Sequence, residues 1–138
     1  MSRIVAIDYG RKRVGIAATD PMQLIANPLD TVPAHEAVDY LTRYANENDV
    51  EMFVVGAPRQ MNGERSESWR YIDPFVRQLR RALPGIPVVF HDERFTSVLA
   101  QRAIIEGGVP RNRRRTDKGL VDRVSAVIIL QSYMEARK

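Results

Sequence analysis

Cysteine is absent from this chain, and histidine occurs only at positions 35 and 91. The absence of cysteine excludes disulfides, thiolate zinc sites and cysteine nucleophiles. Two histidines, His35 and His91, are too few for a histidine-rich metal site. We therefore expect any bound metal to take oxygen ligands.

Long hydrophobic runs are also absent. The apolar stretches are short, for example residues 4–7 and 127–130. A membrane-spanning helix needs about 20 apolar residues. Asp8 interrupts the first stretch, which argues against a signal peptide. The sequence therefore predicts a protein without a membrane segment, located in the cytoplasm.

The length and composition are typical of one globular domain. The chain has 138 residues, of which 44% are hydrophobic and 28% are charged. Domains most often have roughly 100–150 residues, and this balance of apolar and charged residues excludes global disorder. We expect a single domain that spans residues 1–138.

Positive charge is concentrated near the end of the sequence. Residues 1–100 carry 12 basic and 13 acidic side chains, a net charge of −1, whereas residues 101–138 carry 9 basic and 4 acidic, a net charge of +5. The densest run is at 111–115, with Lys118 close behind. Clustered basic residues are typical of proteins that bind polyphosphates such as nucleic acids. A solvated loop is the other interpretation.

The hydrophobic pattern predicts an α/β protein. Apolar runs predict strands at 4–7, 14–19, 24–32, 52–56 and 88–90. Helical spacing predicts helices at 34–48, 65–83, from 96 or 97 to about 105, and 117–135. Pro74 is expected to break, kink or restart the second helix. A hairpin followed by strand–helix–strand units predicts a mixed sheet with helices packed on it.

Three carboxylates fall where such a fold gathers its ligands. Asp8 ends the first predicted strand, Glu93 follows the strand at 88–90, and Asp122 lies early in the last helix. Ligands of open α/β sheets bind at the carboxyl ends of the strands. Convergent carboxylates repel one another unless a cation neutralises them, and oxygen ligands favour Mg²⁺ or Mn²⁺. Two such ions can activate water against a phosphodiester.

Each of these carboxylates also has a structural interpretation. Asp8 can close a hairpin turn, and Glu93 can favour the start of a following helix electrostatically. Asp122 can do the same or pair with Lys118. An aspartate inside the apolar run 120–130 is harder to explain, because burying a lone charge is costly.

Four short motifs occur in a fixed order along the chain. They are Asp8-Tyr9-Gly10, Gly56-Ala57-Pro58 closed by Gly63, Asp92-Glu93-Arg94 followed by Thr96 and Ser97, and a last segment with Lys118, Asp122, Ser125 and Ala126. Together they resemble the YqgF/RuvX family of pre-16S rRNA nucleases and Holliday-junction-resolvase-like proteins. The resemblance covers essentially the whole length. One departure is Ser125, where alanine is commoner, and we expect it to matter little.

The resemblance implies an RNase H-like fold, a mixed five-stranded sheet of order 3-2-1-4-5 flanked by helices. It implies that Asp8, Glu93 and Asp122 form a catalytic, metal-binding site for Mg²⁺, or for Mn²⁺ in vitro. The implied activity is that of a hydrolase, a metal-dependent endonuclease acting in 5′-end maturation of pre-16S ribosomal RNA. The implied partners are nucleic acid, as a ribosomal RNA precursor or branched DNA, and ribosomal particles, with the protein as a monomer or homodimer.

Several further residues are predicted to contact nucleic acid. Glycine lets the backbone approach a phosphate, and basic side chains pair with it. The predicted contacts are Gly10, Arg11, Lys12, Asn62, Arg94, Arg111, Arg113, Arg114, Arg115 and Lys118. For each of the basic residues the alternative is an ordinary surface charge, and for Asn62 a plain turn. Trp69 and Tyr71 are expected to pack rather than stack on bases, and His91 is expected to be a structural histidine.

Three other functions fit parts of the pattern. A Holliday junction resolvase would share the site but cut two strands symmetrically, which favours a dimer. A non-catalytic factor for rRNA maturation would bind without turnover. An actin-like ATPase also has an Asp-x-Gly turn after a strand, but it needs a second such half, for which 138 residues leave no room.

Overall fold

The computed structural model describes residues 2–57, 69–92 and 119–137. The strands are β1 (Arg3–Tyr9), β2 (Arg13–Thr19), β3 (Ala26–Pro33), β4 (Val50–Gly56) and β5 (Val88–His91). A 3-10 turn (Ala34–Glu36) leads into helix α1 (Ala37–Glu47). Helices α2 (Trp69–Ala82) and α3 (Leu120–Arg137) follow β4 and β5 in the chain. No helix in these described segments is long and apolar enough to cross a membrane.

The strands form one sheet in the order β3-β2-β1-β4-β5. The pairs β1–β2 and β2–β3 are antiparallel, whereas β1–β4 and β4–β5 are parallel. Apolar residues on consecutive positions of β1 and β4 suit strands that are covered on both faces. The predicted mixed sheet and its 3-2-1-4-5 order are confirmed.

The two faces of the sheet are covered by different helices. Because side chains alternate along a strand, Val5 and Ile7 of β1 face the cluster that includes Leu41 of α1 and Leu79 of α2. Ile4 and Ala6 face the opposite cluster. That second cluster is completed by side chains of α3, namely Ala126, Ile129 and Leu130. Each fully buried Ile or Leu stabilises the fold by about 1.5–3 kcal/mol.

Pro74 does not end helix α2. The helix runs without a break from Trp69 to Ala82 and contains Pro74 at its sixth described residue. Proline removes one backbone bond, that to the carbonyl four residues earlier. Buried side chains on both sides of Pro74 hold the helix against the sheet, among them Ile72, Phe75 and Val76. The expectation that the helix breaks or restarts there was therefore wrong.

Strand β3 begins later than its apolar residues suggested. Leu24 and Ile25 are 72% and 62% exposed and lie in the loop before the strand. The side chain of Asp20 organises this loop, because it accepts hydrogen bonds from the backbone N–H groups of Met22, Leu24 and Ile25. Local side-chain bonding of this kind competes with strand pairing.

Candidate active site

One row of residues crosses three strands beneath the start of α3. Asp8 of β1 pairs with Gly15 of β2, and Gly15 pairs with Thr31 of β3. The Thr31 hydroxyl donates to the carbonyl of Gly119 at 2.7 Å. This bond fixes the residue just before α3 above the sheet, so the first turn of the helix lies over the row.

Gly15 brings the two aspartates together. A methyl group built on Gly15 would overlap the backbone carbonyl of Asp122, so only glycine allows this approach of α3 to β2. Asp8 is the cross-strand partner of Gly15, and it shares its face of β1 with Ile4 and Ala6, which pack under α3. Asp8 and Asp122 are therefore neighbours.

The electrostatics reflect how close the two carboxylates are. The pKa of Asp8 is raised from 3.8 to about 6, first because the group is buried and second because Asp122 is nearby. Burial and a like charge both disfavour the ionised form. Two neighbouring carboxylates are stabilised by a cation, and the all-oxygen donor set suits Mg²⁺ or Mn²⁺. The two residues present therefore fit the predicted metal.

Arg13 is a member of this site that the sequence did not predict. Its Nε donates to Asp122 Oδ2 at 2.8 Å, with the two side chains 49% and 21% exposed. Arg13 lies two positions before Gly15 and so points to the same face of β2. That spacing was the available signal, but pairing it with a helix 109 residues later needs the fold.

Ser125 is the second member that sequence reasoning missed. It lies three residues after Asp122, on the same side of α3, and is fully buried. Its hydroxyl acts on Asp8 and partly opposes the rise in the pKa of that carboxyl. Within the described segments no group lies in full hydrogen-bond geometry with Ser125 Oγ. The serine therefore places a polar group against Asp8, where alanine would place none.

The turn between β1 and β2 carries three of the predicted nucleic-acid contacts. The Gly10 N–H donates to the Arg13 carbonyl at 2.9 Å, and a methyl group on Gly10 would crowd that oxygen. The tight turn thus accounts for the glycine. Arg11 lies with its guanidinium 5.2 Å from the centre of the Tyr71 ring. Both Arg11 and Lys12 are exposed.

Trp69 and His91 pack against neighbouring side chains, whereas Tyr71 is 38% exposed beneath Arg11. Trp69 is only 7% exposed and its ring lies 4.9 Å from that of Phe90. His91 Nε2 shares a hydrogen bond of 2.9 Å with the Ser132 hydroxyl, and its ring meets the edge of Tyr133. These contacts agree with the interpretation of His91 as a structural residue.

The other predicted site residues lie outside the described residues. One of them is the third carboxylate, Glu93. The others are the predicted nucleic-acid contacts Asn62, Arg94, Arg111, Arg113, Arg114, Arg115 and Lys118. The predicted helix after Thr96 or Ser97 and the loop residues Pro58 and Gly63 also lie outside them. Within segments 2–57, 69–92 and 119–137, no group of three His, Asp or Glu side chains is placed to hold a metal. The described part of the site is thus a pair of carboxylates.

Solved structures share this fold. A Thermus thermophilus RuvC in complex with Holliday junction substrate superposes with a TM-score of 0.56, over 97% of this chain and 96% of that one, at 14% sequence identity. At that identity the likeness shows the fold alone. It confirms the RNase H-like architecture.

Sequence relatives cover the whole chain. A protein of Parabacteroides distasonis is 57% identical, over 100% of this chain and 98% of its own. A protein of Bacteroides fragilis is 56% identical, over 100% of this chain and 99% of its own. Both carry the name "Putative pre-16S rRNA nuclease". The model of the family described as "RuvX: Holliday junction resolvase" matches residues 2–136, and with this match and these relatives the chain belongs to the RuvX family.

Proposed function

We propose that this chain is a metal-dependent endonuclease that hydrolyses phosphodiester bonds in the maturation of precursor 16S ribosomal RNA. The observation that carries the proposal is the placement of Asp8 beside Asp122, where burial first and the neighbouring carboxylate second raise the pKa of Asp8 to about 6. Strongly shifted carboxyl groups at the carboxyl end of a central strand are typical of catalytic sites. The names of the relatives supply the substrate class.

In this proposal Asp8, Asp122 and Glu93 hold Mg²⁺, or Mn²⁺ in vitro. The ion would supply Lewis-acid activation of water and stabilisation of the leaving oxygen. The segment Asp92-Glu93-Arg94, through which the chain resembles the family, supports Glu93 as the third ligand.

The chain's own residues would orient the site and its substrate. Arg13 holds the Asp122 carboxylate through a charge-assisted hydrogen bond. Ser125 stabilises the charged form of Asp8. Gly10, Arg11 and Lys12, with Asn62, Arg94 and Lys118, would contact the phosphate backbone, as would the basic run Arg111, Arg113, Arg114 and Arg115. Such contacts position a nucleic acid without reading its sequence.

The description of the family favours a second candidate, a Holliday junction resolvase on four-way DNA. Both activities would use the same carboxylates. They differ in geometry, because symmetric cutting of a junction requires two copies related by a two-fold axis. A stable dimer with paired nicks would favour the resolvase, and a monomer that cuts a precursor end would favour the rRNA nuclease.

The remaining parts of the proposal concern context. We propose one domain over residues 1–138, acting in the cytoplasm on ribosomal RNA precursors or particles. The match of the family model over residues 2–136 supports one domain.

The test compares two substrates and four variants. End-labelled pre-16S RNA and a synthetic four-way DNA junction are incubated with the protein in Mg²⁺, in Mn²⁺ and in EDTA. Asp8→Asn, Glu93→Gln and Asp122→Asn are expected to abolish cleavage. Asp39→Asn, an exposed aspartate of α1, is the control and should cut like the wild type.

A second measurement separates metal binding from turnover. Mg²⁺ should raise the unfolding midpoint of the wild type and of Asp39→Asn, by about 1.4 kcal/mol in stability at tenfold the dissociation constant. It should leave Asp8→Asn unchanged. Cleavage that survives in Asp8→Asn, or in EDTA, would refute the site, and cutting of the junction alone would favour the resolvase.

A further inference from the structure

A second concave site lies on the opposite face of the sheet from the carboxylates. It is a cleft of about 630 Å³ between the β1–β2 turn, the start of α1 and the middle of α2. Tyr9 follows Asp8 directly and points into the α1/α2 face, because side chains alternate along β1. The cleft is lined by Tyr9, Arg11, Lys12, Pro33, Ala34, His35, Val38, Phe75 and Gln78.

The charges that line this cleft have one sign. Arg11 and Lys12 are cationic, His35 adds an imidazole, and no carboxylate is among the nine lining residues. A concave surface of this kind concentrates anions. It therefore suits the phosphate of a nucleotide.

The ring of Tyr9, backed by the buried ring of Phe75, provides a flat wall beside these cations. Tyr9 and Phe75 stack with their ring centres 4.5 Å apart and their planes 23° apart. Arg11 is held over the ring of Tyr71, and guanidinium and aromatic planes both stack on bases. Ala34 N–H donates to the carbonyl of Lys12 at 2.9 Å. This bond ties the turn to the start of α1, so the cleft is held open by backbone structure.

We propose that this cleft is a second nucleic-acid subsite, which takes one or two unpaired nucleotides of the strand next to the bond that is cut. The proposal rests on the proposed function, since it assumes a nucleic-acid substrate. The volume of about 630 Å³ falls within the range of roughly 300–1,000 Å³ for sites that bind small ligands, which matches the size of one or two nucleotides. The β1–β2 turn, which contributes Arg11 and Lys12 to the cleft, follows directly on the end of β1 that carries Asp8.

The test compares a glutamine-to-glutamate substitution in the cleft with the same substitution elsewhere on the protein as a control. Gln78→Glu adds a carboxylate to the cleft, and Gln131→Glu adds one to a cavity on the other side of the sheet, beside Met134 and Leu24. Both glutamines are exposed helical residues, so both variants should fold and both change the net charge by the same amount. Binding of a fluorescent unpaired oligoribonucleotide is measured in EDTA by anisotropy, and cleavage of pre-16S RNA is measured separately with Mg²⁺.

Gln78→Glu is expected to weaken binding of the unpaired oligoribonucleotide about fivefold or more, as one repulsive charge near a phosphate does. Gln131→Glu should bind within about twofold of the wild type, and a blunt RNA duplex should not distinguish the two variants. Equal affinity of both variants for the unpaired strand would overturn the subsite. If the wild-type protein still cleaves pre-16S RNA in that case, the proposed nuclease function is retained. A wild-type protein that neither binds nor cleaves RNA would overturn both proposals. Binding that is weakened only in Gln78→Glu, with no cleavage by the wild-type protein, would support the subsite and overturn the nuclease.

Discussion

Arg13 of β2 donates its Nε–H to the Asp122 carboxylate at the first turn of α3, at 2.8 Å. This bond joins the second strand of the sheet to the helix that crosses it, and it sets a positive charge beside the pair of aspartates. Asp122 raises the pKa of Asp8. The Arg13 guanidinium bound to Asp122 therefore moderates the repulsion between the two carboxylates. Arg13 therefore acts on Asp8 through Asp122.

Replacing Arg13 should raise the pKa of Asp8. In Arg13→Gln the negative charge of Asp122 is no longer balanced, so the pKa of Asp8 should rise further above its value of about 6. The stability of the fold should fall by only about 0.5 kcal/mol, because the pair is partly exposed to solvent. Carbon-13 NMR titration of the Asp8 carboxyl measures the first effect and urea unfolding the second. Arg77→Gln, at an exposed position of α2, should change neither, and an unmoved Asp8 titration in Arg13→Gln would contradict the coupling.

Asp8 should make the metal-free protein less stable as the pH rises. Its pKa is about 6 in the fold against 3.8 for an unperturbed carboxyl, so the folded state holds a proton between these values that the unfolded state has lost. Stability therefore falls as the pH rises through this window. Asp8→Asn should escape the penalty and be more stable than the wild type above pH 6, by at most about 3 kcal/mol, with no gain below about pH 4.

The control for this prediction has the opposite sign. Backbone hydrogen bonds from Ile25, Leu24 and Met22 lower the pKa of Asp20, so Asp20 contributes stability that is present at neutral pH and lost in acid. Asp20→Asn should therefore be less stable than the wild type at neutral pH, and the difference should vanish as the pH falls. Urea midpoints in EDTA from about pH 2 to about pH 8 test both variants. A gain for Asp8→Asn that does not depend on pH would contradict the assigned pKa.

Gly15→Ala should damage both the fold and the site. Its methyl group would overlap the backbone carbonyl of Asp122, and since backbone cannot swing aside, α3 must shift away from β2. Overpacking of this kind costs typically 1–3 kcal/mol. Gly85→Ala is the matched control, because nothing described lies within 4 Å of its added methyl group. Thermal unfolding and RNA cleavage of both variants test the prediction, and a Gly15→Ala protein with wild-type melting and cutting would refute the close approach.

The basic run at 111–115 should dominate the salt dependence of RNA binding. Each phosphate that the protein no longer neutralises reduces the slope of log affinity against log salt by about 0.7 for a single strand. Arg113→Gln with Arg114→Gln should therefore lower the slope by about 1.4 units. Arg43→Gln with Arg77→Gln removes the same charge from exposed positions of α1 and α2 and should leave the slope near that of the wild type. Equal slopes for both double variants would show that only net charge matters.

Much of the fold could be predicted from short-range pattern. The apolar runs of β1 and β4 and the spacing of Ala37 and Leu41 in α1 follow directly from burial. The start of β3 could not be read, because Asp20 bonds to the backbone of Leu24 and Ile25 and keeps these apolar residues in a loop. The continuity of α2 through Pro74 could not be read either, since it depends on packing against the sheet.

Members of the candidate site could be identified from the sequence only where a residue was unusual for its surroundings. Asp8 and Asp122 stood out because a charge beside apolar residues needs a reason. Arg13 did not, because arginine on a strand is ordinary in sequence, and Ser125 stood out only as a departure that was expected to matter little. Their roles come from the register of Asp8 with Gly15 and from the contact of Gly15 with Asp122. Contacts between such distant positions exist only once the chain is folded.

The position of α3 in the chain also has a consequence during synthesis. The strands of the sheet and the first carboxylate leave the ribosome before residue 119, but the helix that covers Ile4, Ala6 and Val54 and supplies Asp122 comes last. Until then Ile4, Ala6 and Val54 lack their packing against α3, and Asp8 lacks its neighbour Asp122. Because Asp122 reaches Asp8 only when α3 packs on the sheet, the step that completes this core also forms the carboxylate pair.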